Sequence, residues 1–400
     1  MPILAKRITV EKPDYTSQVM KWLEEKRLYP DENFSASGGA PSIAISDELW
    51  DPFCDTLKKA RKEAFSYRPP FGSFKTREKL AEGLRKTLNI KIETPQVWQT
   101  FGGQHAIFSS MGMILDPGDK IIKLDPDYMA YSPVAEYLSA EVVEFPILME
   151  DKYQIDVDKL RKVLERDKKN KGVAFSSPAN PHTKRQEPSI IKELAQVLIE
   201  LDRVGIQDIA YIHNTRGTQE LLYNYCPENS ITIGSGSKCY STCALNLGYA
   251  FTGIKELTED NNAKLSRGLI PIALTQNSPT ELFIQLNFGS EAGKRFIEKA
   301  NRVYEERQRA MMEALNGLPG VEYVDPDSYY YVYPRFSAVK NSVKFAQQLH
   351  YKLKISTVPG LAFGPSGINT LRMTTVTETV EAIYANVGKK MGEFLKTYHD

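Results

Sequence analysis

A strand-like stretch, SITIGS, runs into Gly234-Ser235-Gly236-Ser237-Lys238, a loop of small residues that ends on a lysine. Backbone N–H groups and hydroxyls in such a loop bind phosphate, and a desolvated lysine amine forms Schiff bases with carbonyl carbons. Alone, the segment also fits a surface loop with an ordinary lysine. Thirty residues upstream, VGIQDIAYIHN puts Asp208 and Tyr211 near the end of a hydrophobic stretch. Ligands of parallel-sheet proteins bind at such strand ends, and a carboxylate there is costly unless it is paired. Asn180, in Ser177-Pro178-Ala179-Asn180-Pro181, also ends a strand-like stretch, although Asn-Pro by itself more often marks only a turn.

Pyridoxal 5'-phosphate (PLP) would use all of these groups. Its pyridine nitrogen stays protonated beside an anionic carboxylate, which lets the ring accept electrons from a carbanion. Asp208 is the candidate carboxylate, and Tyr211 and Asn180 are candidate partners of the ring's phenolic oxygen.

The elements that must position these residues follow from periodicity. From Gly118 to Ala250, β-branched apolar runs (KIIKL, AEVVEFPI, KGVAFSS, VGIQDIAYI, SITIGSG) alternate with amphipathic segments such as IIKELAQVLIELDRV. That pattern predicts an α/β unit with a mainly parallel sheet. The charge run Arg166 to Lys171 reads as a solvated helix end. After Ser290 a long helical stretch ends in Gly-Leu-Pro-Gly, followed by strand-like YYYVYPRF, the helical SVKFAQQLHYKLK and a helical C-terminal segment. We therefore expect residues 50–290 to form a large domain, and 1–49 with 291–400 a smaller α+β domain built from both chain ends. The cleft between them is the expected site. In the tyrosine run Tyr329-Tyr330-Tyr331, alternate rings should be buried, one of them lining the pocket. The helix-like Tyr15 to Leu28, with Val19, Met20, Trp22 and Leu23 apolar, should pack on the cleft or on a partner subunit.

Composition narrows the class. Among 400 residues, 51 Lys and Arg balance 50 Asp and Glu, so neither nucleic acid nor a membrane surface is an expected partner. The N-terminal MPILAKRITVEKPDY lacks a signal-peptide core and no long uncharged apolar run occurs, which predicts a cytoplasmic protein. Cys54, Cys226, Cys239 and Cys243 are too few for a disulfide scaffold. His105, His182, His213, His350 and His399 lack close pairing, and no metal site is expected.

The order of these motifs resembles the class I and II aminotransferases of PLP fold type I, from about Gly38 to Arg372. Gly38-Gly39-Ala40-Pro41 is similar to the family's Gly-x-Pro loop, and Tyr67-Arg68-Pro69-Pro70-Phe71-Gly72 followed by Arg77 to its Tyr-x-Pro-x-x-Gly-x-x-x-x-Arg element. Then come Phe101-Gly102-Gly103-Gln104-His105-Ala106, Asp116-Pro117-Gly118-Asp119, Asp125-Pro126-Asp127-Tyr128, Asn180-Pro181, Asp208-Ile209-Ala210-Tyr211, Ser235-Gly236-Ser237-Lys238, Phe363-Gly364 and Leu371-Arg372. All stand in family order.

The resemblance implies that Lys238 carries PLP as an aldimine and then moves the substrate α-proton, through a quinonoid intermediate. It implies Asp208 at the pyridine nitrogen, Tyr211 and Asn180 at the phenolic oxygen, and Tyr128 on the ring face. Gly103, Gln104, Ser235 and Ser237 would hold the phosphate, with Tyr67 reaching in from the second subunit of a homodimer. Arg372 would grip the substrate α-carboxylate, with Gly39 beside it. An amino acid and a keto acid are the implied substrates.

One position departs from the family. Eight residues after the lysine, where most members carry a phosphate-binding arginine, this chain has Asn246. Arg216 is a candidate replacement cation. The departure keeps open an alternative outcome of the same chemistry: an amino-acid oxidase or hydroxylase, lyase or cyclase. His105 and His213 are weaker site candidates, and Cys239 and Cys243 read as core filler more readily than as catalytic thiols.

Overall fold

The computed structural model describes residues 15–30, 32–258 and 263–398. Residues 1–14, on which the expectation of no leader rests, lie outside the described residues, as does His399.

Seven strands form the main sheet: β2 (Val97–Phe101), β3 (Lys120–Asp125), β4 (Glu141–Pro146), β5 (Asn170–Ser176), β6 (Val204–Asp208), β7 (Ser230–Ser235) and β8 (Leu247–Thr252), in the order β2-β8-β7-β6-β5-β3-β4. Only β8 runs antiparallel to its neighbours. Each run that alternation marked as a strand is one, although β6 stops at Asp208, so Tyr211 lies beyond it. Residues of the central strands are buried on both faces because helices cover both, whereas the edge strand β4 is largely exposed. Val173 and Phe175 pack with Leu160, Leu194 and Leu198 on one side, while Ala174, Ile206, Ile231 and Ile233 pack with Ala106, Ile107 and Met111 on the other.

The helices that matter for the site are α1 (Tyr15–Leu28), α2 (Asp47–Lys59), α3 (Phe74–Leu88), α4 (Gly102–Ile114), α5 (Val157–Arg166), α6 (Pro188–Glu200), α7 (Ser278–Asn287), α8 (Glu291–Asn316) and α9 (Ser342–Leu353). Side-chain caps explain several starts. Ser290 accepts the Gly293 N–H at the head of α8, and Asn341 accepts two N–H groups at the head of α9, whose end turns on Lys354 in the left-handed region.

A separate core gathers Trp22, Phe34, Ala36, Met311, Leu315, Phe345, Leu349, Ile355, Leu371, Met373, Val387 and Met391. Both ends of the described chain thus feed one cluster. Its strands are short: β1 (Phe34–Ser35) pairs in parallel with β12 (Ile355–Ser356), β9 (Val321–Glu322) with β11 (Arg335–Phe336), and β10 (Tyr331–Val332) and β13 (Val358–Pro359) flank β14 (Leu371–Thr374). The halves of α8 serve different cores. Phe296 packs with Leu49, Leu80 and Phe283, whereas Met311 and Leu315 pack with Trp22. Tyr333 and Phe363, from the C-terminal part of the chain, join the core of β5 and α6.

The tyrosine run departs from the expected alternation. Tyr330 and Tyr331 are both buried and only Tyr329 is partly exposed, because the segment lies between packed layers: Tyr330 meets Tyr304 edge to face, and Tyr331 meets Tyr211 in the same way. No described helix is long and apolar enough to cross a membrane.

Candidate active site

Four strands of the main sheet end at one edge. β5 delivers Ser176, β6 Asp208, β7 Ser235, and β2 passes through Phe101 directly into α4. Beyond these ends lies a cavity of about 360 Å³, roofed by α1 and by the Ser37–Gly39 segment. A site at the carboxyl ends of a parallel sheet is what this topology favours.

Of the thirteen residues assigned to the site from sequence, leaving aside the weaker candidates Arg216, His105 and His213, twelve line that cavity: Gly39, Gly103, Gln104, Tyr128, Asn180, Asp208, Tyr211, Ser235, Ser237, Lys238, Asn246 and Arg372. The exception is Tyr67, which is 84% exposed on the outer surface.

Lys238 sits in the one-turn helix Gly236–Cys239, started by the Ser235 side chain, and its Nζ donates to the Gly39 carbonyl at 2.7 Å. The Tyr330 hydroxyl fixes the backbone beneath it, donating to the Lys238 carbonyl at 2.8 Å. Asp208 accepts the Ala210 N–H at 2.9 Å and the Tyr131 hydroxyl at 3.4 Å. Burial nevertheless pushes its carboxyl up to about 6, opposed by those bonds and by the charge of Lys238. This carboxylate lacks a strong cationic partner. A cationic ring nitrogen would supply one.

Arg372 is buried, donating from Nη1 to Asn180 Oδ1 at 3.0 Å and from Nη2 to the Ser37 carbonyl at 2.6 Å. Its guanidinium lies 4.3 Å from the Tyr331 ring centroid and 5.3 Å from that of Phe363. The Tyr331 hydroxyl is 2.9 Å from that of Tyr211. A buried carboxylate, Asp127, organises the opposite wall: it accepts the Tyr128 and Ser176 N–H groups at 2.6 and 2.9 Å and the Ser176 hydroxyl, while Ser176 Oγ accepts the Asn180 N–H at 3.0 Å. Burial pushes Asp127 up to about 7.

These residues suit PLP. α4 begins without a side-chain cap, so its first N–H groups remain available to an anion. A Cβ at Gly103 would meet only the Ser235 side chain, at 3.9 Å, leaving open space. Ser235 and Ser237 hydroxyls, both near the Leu247 carbonyl, flank that end, with Asn246 held in the left-handed conformation at φ 50° against Gly102. A lysine amine, a carboxylate and a phenol complete the donor set. The phosphate end is uncharged in this chain: among the described lining residues the only cations are Lys238 and Arg372.

Arg216, the sequence-based candidate for a replacement cation, does not line the cavity. It donates to Gln308 Oε1 at 3.0 Å and to the Pro326 carbonyl at 3.1 Å, pairs with Glu305 and lies over Tyr329. The turn after Tyr211 carries it toward α8. His105 is buried behind the cavity, with Nδ1 accepting the Phe101 N–H at 3.0 Å, and burial holds it down to about 4. His213 likewise drops to about 4 and does not line the cavity. Cys239 is core, its thiol pushed up to about 12 by burial, but Cys243 is half-buried and lines the cavity. All four cysteines are free, and no three His, Cys, Asp or Glu cluster among the described residues.

Sequence reasoning missed Ser37, Ser176, Asp127 as an organiser, and Tyr131. Ser176 carried a readable signal, since it ends a strand in the same series as Asp208. Ser37 acts through its backbone carbonyl, which no side-chain pattern reveals.

Fold and site together define an enzyme of PLP fold type I. The chain belongs to the aminotransferase class I and II family, whose model matches residues 40–384, and is thereby a PLP-dependent transferase acting on amino acids. It is similar to the aspartate/prephenate aminotransferase of Thermus thermophilus, 25% identical over 97% of this chain and 99% of that protein. Aromatic-amino-acid aminotransferase 2 of Thermococcus litoralis is 23% identical over 86% of this chain and 90% of its own. The solved Thermus thermophilus aspartate aminotransferase with maleate superposes with a TM-score of 0.89 at 23% identity, covering 100% of both chains, a likeness of fold. These relatives are named aminotransferases, and the oxidase, lyase and cyclase alternative is not favoured.

Proposed function

We propose that the cavity is the transamination site and that its residues divide the work as follows. Bound PLP supplies an electron sink for the carbanion at the substrate α-carbon and a carbonyl carbon that exchanges amines. Lys238 holds the cofactor in the resting enzyme and, once released, its Nζ takes the proton from the substrate α-carbon. Asp208 holds the proton on the ring nitrogen, with Tyr211 and Asn180 at the phenolic oxygen and Tyr128 against the ring face. The N–H groups of Gly103 and Gln104, with Ser235, Ser237 and Asn246, bind the phosphate. Arg372 orients the substrate by its α-carboxylate beside Gly39. The single observation that carries this reading is the convergence of Lys238, Asp208, Tyr211 and Arg372 on one cavity.

The test is direct. Borohydride reduction of the PLP-loaded protein followed by peptide mapping should find the cofactor fixed to Lys238 and to no other lysine. An amino acid should then convert the absorbance of the loaded enzyme without oxygen, and a keto acid should restore it. Labelling elsewhere, or conversion that needs oxygen, sinks the proposal.

We also propose a homodimer. Phe65, Tyr67 and Phe74, exposed by 92%, 84% and 63%, stand beside the 270–278 segment, where Ile270, Ile272 and Leu274 are exposed. The Arg68 N–H and Pro70 carbonyl bind Thr275 and Gln276 there, so these side chains form one apolar face. A second copy would cover it and bring Tyr67 to its partner's cavity. Tyr67→Asp should shift the sedimentation coefficient toward that of a monomer. The large-domain and two-ended small-domain division belongs to the same reading, supported by the separate core around Trp22 and Leu371. The free cysteines support a cytoplasmic location.

A further inference from the structure

The names of the relatives do not fix the substrate side chain, but the charge content of the wall that this chain supplies bears on it. Among the described lining residues, Lys238, Asp208 and Arg372 are the only charged ones. In the reading proposed above, on which this step rests, each already has a task at the cofactor or the α-carboxylate. That leaves no charged group among the described lining residues for the substrate side chain.

What remains on the roof is apolar. α1 turns Val19, Met20 and Leu23 toward the cavity. Trp22, only 2% exposed, lies in the adjoining core with its ring stacked on His350 at 4.6 Å, and this fixes the rotation of the helix. Leu23 lies directly over the Gly38–Gly39 turn: a Cβ at Gly38 would come to 3.0 Å from Leu23 Cδ2. It thus adjoins the carbonyls of Gly39 and Ser37 that hold Lys238 and Arg372. Val19 and Met129 both pack against the core that contains Val358, and all three line the cavity. A substrate gripped at Arg372 therefore extends its side chain against aliphatic and thioether groups.

We infer that Val19, Met20 and Leu23 form the side-chain subsite and that the preferred amino donor is a neutral, apolar α-amino acid, not a dicarboxylic or basic one. A second carboxylate would be desolvated here without a cation from the described residues of this chain, and a buried unpaired charge is strongly disfavoured. A basic side chain would find only Asp208, on the floor of the cavity. The thioether of Met20 adapts to varied apolar shapes.

The experiment compares leucine, methionine and phenylalanine with aspartate, glutamate, lysine and arginine as donors for the PLP-loaded full-length protein. The best apolar donor should exceed every charged one by about a hundredfold in kcat/KM. Calorimetry of two unreactive acids runs in parallel, and 4-methylpentanoate should bind more tightly than succinate. Met20→Lys, a change on a half-exposed helix position, should narrow the gap between leucine and aspartate by about tenfold or more. A donor preference for any charged amino acid, or tighter binding of succinate, overturns the inference. Failure of every amino acid to react would instead strike the transamination reading, and the ranking of the two acids would still decide the character of the subsite.

Discussion

The guanidinium of Arg372 rests on the face of Tyr331, 4.3 Å from the ring centroid. The same ring sends its hydroxyl to Tyr211, so a single side chain supports both the proposed carboxylate grip and the proposed phenolic-oxygen partner. Removing the ring should loosen Arg372. A cation over an aromatic face is worth about 0.5–2 kcal/mol, so Tyr331→Ala should raise the Michaelis constant for the amino acid about tenfold. Tyr331→Phe keeps the face and should stay within about threefold. Steady-state kinetics on the two variants distinguish stacking from hydroxyl effects.

Gly39 makes close approach possible. A Cβ there would run into the Tyr331 hydroxyl and stand 3.6 Å from Lys238 Nζ. Gly39→Ala should therefore lower kcat/KM sharply. Because the obstacle is a hydroxyl, Gly39→Ala combined with Tyr331→Phe should recover part of the loss. A strictly additive double variant would show that the clash is not with Tyr331.

Asp208 ties stability to pH in the cofactor-free protein. Its carboxyl titrates at about 6 when folded, against an ordinary 3.8, so the folded state holds this proton more tightly. Stability contributed by that proton is present below pH 4 and lost as pH rises toward 6. Asp208→Asn should thus be more stable than the parent above pH 6, by about 3 kcal/mol from the size of the shift, and equal to it below pH 4. Thermal melts across that range measure it. PLP affinity should move the opposite way, because the amide carries no charge for the ring nitrogen.

Asp127 is expected to act through structure. It touches Tyr128 and Ser176 and, through Ser176, the backbone of Asn180. Asp127→Ala leaves buried donors unsatisfied and should cost about 2–4 kcal/mol of stability. Denaturant unfolding checks the size. A fall in PLP affinity with a normal unfolding midpoint would contradict a purely structural role.

Legibility in the sequence followed how far each signal is local. The parallel strands β3 to β7 announced themselves because each is a short β-branched run, whereas β2 and β8 lay outside the marked runs, and the strand-end series pointed to Asp208 and Asn180, which line the cavity. Lys238 and Arg372 needed motif order, since neither stands out in its immediate neighbourhood. Arg216 shows where locality fails: it lies five residues after Tyr211, yet the turn Ile212–Asn214 carries it toward Glu305 and Gln308 on α8. Tyr330 and Tyr331 defeated the two-residue alternation because protein packs against both sides of their segment. Ser37 was illegible because it offers a backbone atom, and Tyr131 because it reaches Asp208 across 77 residues of sequence.

Helix α8 has a mechanical meaning. At 1.5 Å per residue its 26 residues make a rod of about 39 Å. One end is embedded among Leu49, Leu80 and Phe283 and the other among Trp22 and Leu318, while its midsection, at Ala300 and Tyr304, abuts Tyr211, Tyr330 and Tyr331. A stiff beam clamped at both ends transmits torque between its clamps. Any tilt of the unit that holds Arg372 must bend this beam or pivot on it, and the fulcrum lies beside the catalytic cleft, where angular motion produces the least displacement. A tilt about such a pivot would displace the outer parts of the molecule more than the cavity beside it.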